Sequence, residues 1–183
     1  MKIGIMNSEI ANGDGYHYPF FTPNNTDLQI PWEQKKITIY GKKINLPRLT
    51  AWYGEGGYNY AGIDNKPNEW TDVILSLKTK VEKQTGYIFN SLLCNYYRDG
   101  KDSVSWHSDD EKGLTGVIAS LSFGDTRTFQ IKNKATKKIE SIELRGGDLI
   151  VMGERFQEKY LHQVPKRANK TERINLTFRN IIK

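Results

Sequence analysis

The chain has 183 residues, with 27 Lys and Arg against 21 Asp and Glu, for a formal charge of +6. That length fits one domain with a sizeable core, and the basic balance favours a polyanionic partner. The single Cys94 excludes an internal disulfide framework, and its place in Leu92-Leu93-Cys94 reads as a buried thiol. No apolar run approaches a membrane span, and the N-terminus lacks the apolar core of a signal peptide. A soluble intracellular protein is expected, cytoplasmic or nuclear, with no membrane and no obligate protein partner, hence a monomer.

In chain order, residues 1–30 are polar and turn-rich but carry Tyr16, Tyr18, Phe20 and Phe21, as a peripheral segment draped on a single 1–183 domain would. Residues 36–40 alternate like a strand, Gly41-Lys42-Lys43 signals a turn, and Ile44 onward returns toward 49–53. Gly54, Gly56, Gly57 and Gly62 frame a loop containing Tyr58 and Tyr60. Trp70, Val73, Ile74, Leu77 and Val81 recur at helical spacing, with Pro67-Asn68 before them and Gly86 as a stop. The remainder reads as eight short strands, 91–97, 103–107, 117–123, 126–131, 139–144, 148–152, 160–164 and 173–179, separated by Gly-, Asp- and Lys-rich turns. A mainly β fold with one flanking helix follows, arranged as a double-sheet jelly roll.

Trp106-His107-Ser108-Asp109-Asp110-Glu111 closes one of these strands. Side chains two apart on a strand point the same way, so His107 and Asp109 are expected on one side. They supply two thirds of a facial triad of two histidines and a carboxylate, which leaves coordination positions open and suits Fe(II). Of the other histidines, His162 lies in a strand-like run, whereas His17 stands in no pattern and reads as structural or surface. An H-x-D pair by itself also fits surface residues or a satisfied core histidine. In Arg173-Ile174-Asn175-Leu176-Thr177-Phe178-Arg179 both arginines, Asn175 and Thr177 share one strand face. Two guanidiniums on an inward face fit a dicarboxylate, and on an outward face they are merely solvated.

His107-Ser108-Asp109, the distant His162 and Arg173-x5-Arg179 together resemble the AlkB family of Fe(II)- and 2-oxoglutarate-dependent dioxygenases, in its animal-type alkylated DNA/RNA repair demethylase subgroup. The segments 47–54, 95–100 and 119–124 agree, and the resemblance runs from about residue 30 to the end. It implies a double-stranded β-helix (jelly roll, cupin-like). It further implies Fe(II) held by His107, Asp109 and His162, with O2 and 2-oxoglutarate as cosubstrates. Asn95, Tyr97, Arg173, Asn175 and Arg179 then form the 2-oxoglutarate site, with Arg173 on the distal carboxylate and Arg179 near the chelating end and Asp109. The implied reaction is oxidative demethylation of bases such as 1-methyladenine and 3-methylcytosine in nucleic acid, releasing formaldehyde, succinate and CO2.

A base must leave its stack to reach such a pocket, where aromatic rings and polar groups hold it. Tyr58 and Tyr60 match the family's pocket aromatics, Tyr60 being placed to sandwich the base against His107. Asp110 and Glu111 are candidates to accept from an exocyclic amine, or else form a solvated acidic turn. Tyr40 lies where duplex-active relatives carry a hairpin finger, yet Trp106 and the 47–54 run are nearer the single-strand type, so both strand preferences stay open. Arg48, Lys42 and Lys43 are candidate phosphate contacts, as are Lys132, Lys134, Lys137 and Lys138 unless they form a solvated turn. The alternatives are an RNA-mark demethylase, a protein side-chain hydroxylase, and an iron-free binding module, which would have no need of all five triad and arginine positions.

Overall fold

The computed structural model describes residues 7–24, 27–39, 41–54, 58–60, 63–111 and 113–182. Apolar and alternating runs, each stopped by a turn, become antiparallel strands. The first are β1 (Ser8–Ile10), β2 (Gly15–Tyr18), β3 (Lys36–Ile39), β4 (Lys42–Asn45), β5 (Leu49–Gly54), β6 (Tyr58–Tyr60) and β7 (Ile63–Asn65). After helix α1 (Asp72–Thr85) come β8 (Ser91–Tyr97), β9 (Val104–His107), β10 (Leu114–Gly124), β11 (Arg127–Asn133), β12 (Ile139–Leu144) and β13 (Leu149–Met152). A short helix α2 (Phe156–Lys159) then leads into β14 (Tyr160–Val164) and β15 (Arg173–Ile181).

Two sheets face one another in a double-stranded β-helix. The larger has the order β1-β2-β13-β10-β15-β8-β5, and the smaller β12-β11-β14-β9. Alternation divides the larger sheet cleanly. Leu92, Cys94, Leu121, Leu176 and Phe178 point outward and are covered by Ile74, Leu77 and Val81 of α1. Tyr97, Ile118, Ile150 and Met152 point inward and meet Phe129, Ile131, Tyr160 and Val164 across the gap between sheets. Cys94 is fully buried as expected, and burial pushes its thiol well above the usual range. The strands at 8–10 and 15–18 add an outer edge to the larger sheet, β2 pairing with β13.

The helix starts later and ends later than its apolar period suggests. Thr71 caps it, its hydroxyl accepting from the Ile74 amide at 3.4 Å, and Gly86 ends it in the left-handed conformation at φ 77°. Trp70 therefore lies before the helix and packs beside Tyr53, and Val73 is 38% exposed because the buried stripe runs through Ile74, Leu77 and Val81. Helix α2 has no counterpart in the sequence reading, since four residues are too few to show a helical period.

Asp148 ties the N-terminal edge to this frame. Only 1% exposed, it accepts from His17 Nε2 at 3.1 Å and from the Phe20 and Arg145 amides at 3.0 Å each. His17 thus has a structural partner. Burial would raise the Asp148 carboxyl, but the His17 hydrogen bond and the two amides hold it below its ordinary value. The folded state therefore favours the carboxylate, a contribution present above the unfolded value near 4 and lost as pH falls below it. Asp148→Asn is expected to cost about 2–3 kcal/mol at pH 7. In urea unfolding, the gap to wild type should shrink at pH 3.5.

Candidate active site

The site lies in the gap between the sheets, where polar side chains replace the apolar filling. His162 and His107 are direct partners in the antiparallel pairing of β14 with β9. Between that pair and the next, Val164 with Val104, two steps on β14 oppose three on β9, which marks a bulge. The bulge lets both His107 and Val104 face the cavity. It also presents the Ser105 carbonyl, which accepts from His107 Nδ1 at 2.8 Å, so the Nε2 lone pair is left for a metal. Phe129 and Phe156 pack around the His162 ring.

Asp109 completes the group, but strand alternation does not place it, contrary to the spacing argument. β9 ends at His107, and Asp109 lies in the irregular segment after it, where its amide donates to Gln157 Oε1 at 2.9 Å. Its carboxylate lies 3.8 Å from His107 Nε2 and 3.6 Å from His162 Nε2. The three donor atoms all fall within 4.8 Å of one another. Burial would raise the Asp109 carboxyl, yet the guanidinium of Arg179, at 2.9 Å, and the imidazoles hold it well below the carboxylate range. Burial, with the nearby His162 ring, pushes His107 down to about 4. At neutral pH the pair is a carboxylate and a neutral imidazole, the forms that bind a divalent ion.

The inward face of β15 supplies the second half. Arg173, Asn175, Thr177 and Arg179 are all buried, so the alternation points both guanidiniums inward. Arg173, 2% exposed, donates from Nη2 to Ser122 Oγ at 2.9 Å, and its Cζ lies 5.1 Å from the centre of the Tyr97 ring. Its Nε and Nη1 are buried without an acceptor among the described residues. Arg48 Nε donates to Asn95 Oδ1 at 2.8 Å, Asn95 Nδ2 to Asn175 Oδ1 at 3.3 Å, and Asn175 Nδ2 to Ser120 Oγ at 2.7 Å. Three guanidiniums and one carboxylate line this cavity. A buried excess of positive charge with unsatisfied donors calls for an anion, and a dicarboxylate fits that need.

Arg48 is buried in this cavity rather than exposed on the β3–β4 hairpin, a position that corrects its expected role as a phosphate contact. Lys42 and Lys43 are exposed on β4. Lys132 lies over the Trp106 ring at 4.2 Å, and Lys134 and Lys137 donate to backbone carbonyls, so three of the four hairpin lysines have internal partners. Asp110 is exposed, accepts from Ser108 Oγ at 2.8 Å and borders a neighbouring depression instead of the cavity. Glu111 Oε2 is 4.0 Å from Arg179 Nη1. Tyr40 lies outside the described residues. Tyr58 and Tyr60 are described as backbone only, in the β6–β7 hairpin.

Two contributors escaped the sequence reading. Gln157 accepts from the backbone amide of Asp109. Arg127, fully buried, donates to the carbonyls of Asp99, Asp102 and Pro165 and stacks on Tyr97 with its Cζ 5.4 Å from the ring centre, opposite in sequence to nothing but an ordinary strand position. Neither lies in a motif, and only the folded chain reveals them.

A jelly roll with a buried two-histidine, one-carboxylate cluster and an anion-seeking arginine defines a class of metal-dependent protein. The model of the 2OG-Fe(II) oxygenase superfamily matches residues 24–179. The chain is 45% identical over 165 residues to rat alpha-ketoglutarate-dependent dioxygenase alkB homolog 3, covering 83% of this chain and 56% of that protein. The human protein of the same name is 44% identical, with 83% and 58% covered. Mouse DNA oxidative demethylase ALKBH2 is 34% identical over 160 residues, with 80% and 67% covered. The chain spans somewhat over half the length of the first two relatives. It belongs to the AlkB branch of the 2OG-Fe(II) oxygenase superfamily. Membership brings Fe(II), 2-oxoglutarate and O2 as the cofactor set, and the buried donor atoms on both sides of the cavity fit it. Among the described residues, no helix is long and apolar enough to cross a membrane.

Proposed function

We propose that this protein removes methyl groups oxidatively from damaged nucleic-acid bases such as 1-methyladenine and 3-methylcytosine, restoring the base. The observation that carries this reading is one cavity holding both the His107-Asp109-His162 cluster and the unsatisfied guanidinium face of Arg173. The relatives named as alkB homolog 3 and as DNA oxidative demethylases support the substrate class, as does the +6 charge.

In this reading His107 Nε2, His162 Nε2 and the Asp109 carboxylate hold Fe(II). Fe(II) with 2-oxoglutarate and O2 supplies the oxidising power that turns a methyl on a ring nitrogen into a hydroxymethyl, lost as formaldehyde, while 2-oxoglutarate leaves as succinate and CO2. Arg173 anchors the distal carboxylate through the donors it has spare. Tyr97, wedged between Arg173 and Arg127, walls that end of the cavity. Arg179 keeps Asp109 ionised and oriented. The Arg48-Asn95-Asn175-Ser120 chain fixes the amide orientations beside the cosubstrate. On the substrate side, Glu111 is the candidate acceptor for the exocyclic amine, and Tyr58, Tyr60 and Tyr40 are the candidate rings for the extruded base and its neighbours.

The test is mass spectrometry on single- and double-stranded oligonucleotides carrying one 3-methylcytosine or 1-methyladenine, with Fe(II), ascorbate and 2-oxoglutarate. One methyl lost per succinate formed is expected, and the two oligonucleotide forms report strand preference. Succinate without any change in the base would overturn the substrate and point to a protein side chain.

A further inference from the structure

We propose that Gln157 is a positioning residue for the metal ligand Asp109, an inference that rests on the metal site assigned above. The carboxylate must hold its place against two imidazoles from the smaller sheet, yet it sits beyond the end of its strand, where no ladder hydrogen bond fixes the backbone. The amide of Asp109 is taken up by Gln157 Oε1 at 2.9 Å. Arg179 grips the side chain of Asp109, whereas Gln157 grips its backbone, and two grips define an orientation that one leaves free to swing.

Gln157 is itself held in place by two further contacts. Its Nε2 donates to Sδ of the cavity-lining Met152 at 3.5 Å, and its main-chain carbonyl accepts from Lys134 Nζ at 2.7 Å. The same ammonium lies 3.4 Å from Ser108 Oγ, so Lys134 bridges α2 to the residue before Asp109. Phe156, the preceding residue, is wholly buried and packs on Tyr160, seating α2 in the core. Five residues beyond Gln157 the chain delivers His162. One segment therefore carries a histidine ligand and the brace for the carboxylate ligand, while the third ligand, His107, is tied to His162 by strand pairing. The three donor atoms are joined by two rigid links, one a β-ladder and the other Gln157.

The test uses Co(II), an air-stable stand-in for Fe(II), titrated into the full chain and followed by calorimetry and visible ligand-field absorption. Gln157→Leu keeps the size but removes the acceptor, and Gln157→Glu keeps an acceptor for the amide. Leucine is expected to weaken Co(II) binding about 10- to 100-fold and alter the ligand-field bands. The melting temperature of the metal-free protein should fall by no more than about 4 °C, the effect of one lost hydrogen bond in a chain of this size. Glutamate should restore most of the affinity and the wild-type bands. Gln157→Ser, too short to reach the amide, repeats the leucine arm should leucine not be accommodated. Wild-type affinity in the leucine and serine variants would overturn the role of Gln157, as would a folded glutamate variant as weak as they are. A wild-type protein that takes up no Co(II) would instead overturn the metal site itself.

Discussion

Asp109→Ala is expected to abolish metal binding and turnover and to cost about 3–5 kcal/mol of folding stability. The two effects have separate origins. Loss of the carboxylate removes one of three ligands, and two neutral imidazoles alone hold a divalent ion poorly. The stability loss comes from Arg179, which donates to Asp109 at 2.9 Å with both side chains 3% exposed. Removing the anion leaves a buried guanidinium whose main counter-charge has gone. Asp109→Asn separates the two, because its amide oxygen still accepts from Arg179 while its ligand charge is lost. Urea unfolding should place the asparagine variant between wild type and alanine, and calorimetry should find both variants without metal. Wild-type metal affinity in the alanine variant would refute the ligand assignment.

Arg173→Met should have the opposite stability signature. Arg173 is buried with two nitrogens lacking any acceptor among the described residues, and burial pulls its pKa down. Such a charge is costly to the cosubstrate-free fold, and methionine fills similar space without it. The cosubstrate-free variant should stay within about 1 kcal/mol of wild type, the relief of the buried charge offsetting the lost bond to Ser122. Function is where the charge matters. Losing a buried, bidentate partner for a carboxylate is worth about 2–4 kcal/mol, so KM for 2-oxoglutarate should rise roughly 30- to 1,000-fold. Metal affinity should not change, since Arg173 touches none of the three metal-binding side chains. An unchanged KM would show that the distal carboxylate sits elsewhere. Stability is spent at this position on binding, as in many active sites.

How much of this could be read from residues alone follows from how local each signal is. The face of β15 was legible because strand alternation is a property of consecutive residues, and Arg173, Asn175, Thr177 and Arg179 are all buried on the cavity side. The eight strands after the helix were legible for the same reason, their turns carrying Gly, Asp and Lys. The pairing of His162 with His107 was not, because nothing within either strand specifies its partner or register. Alternation accounts for the meeting of His107 and Asp109 only in a continuing strand, but β9 ends at His107, and an irregular segment braced by a distant glutamine brings the two together. Arg48 reads as a candidate phosphate contact because it follows Lys42 and Lys43 closely in sequence, whereas the cavity wall buries it. The identities of the ligands came through, and the devices that aim them did not.

In the proposed function, one cavity assembles a metal and 2-oxoglutarate on His107, Asp109, His162, Arg173 and Arg179. Anaerobic titration of the full chain with Fe(II) and then 2-oxoglutarate, followed by visible absorption, reports that assembly. A keto acid chelated to Fe(II) gives a weak charge-transfer band. The band should appear in wild type, require far more 2-oxoglutarate in Arg173→Met, and be absent in Asp109→Ala. No band in wild type, with the protein folded and both components present, would rule out that assembly and leave an iron-free binding module as the better reading of this fold.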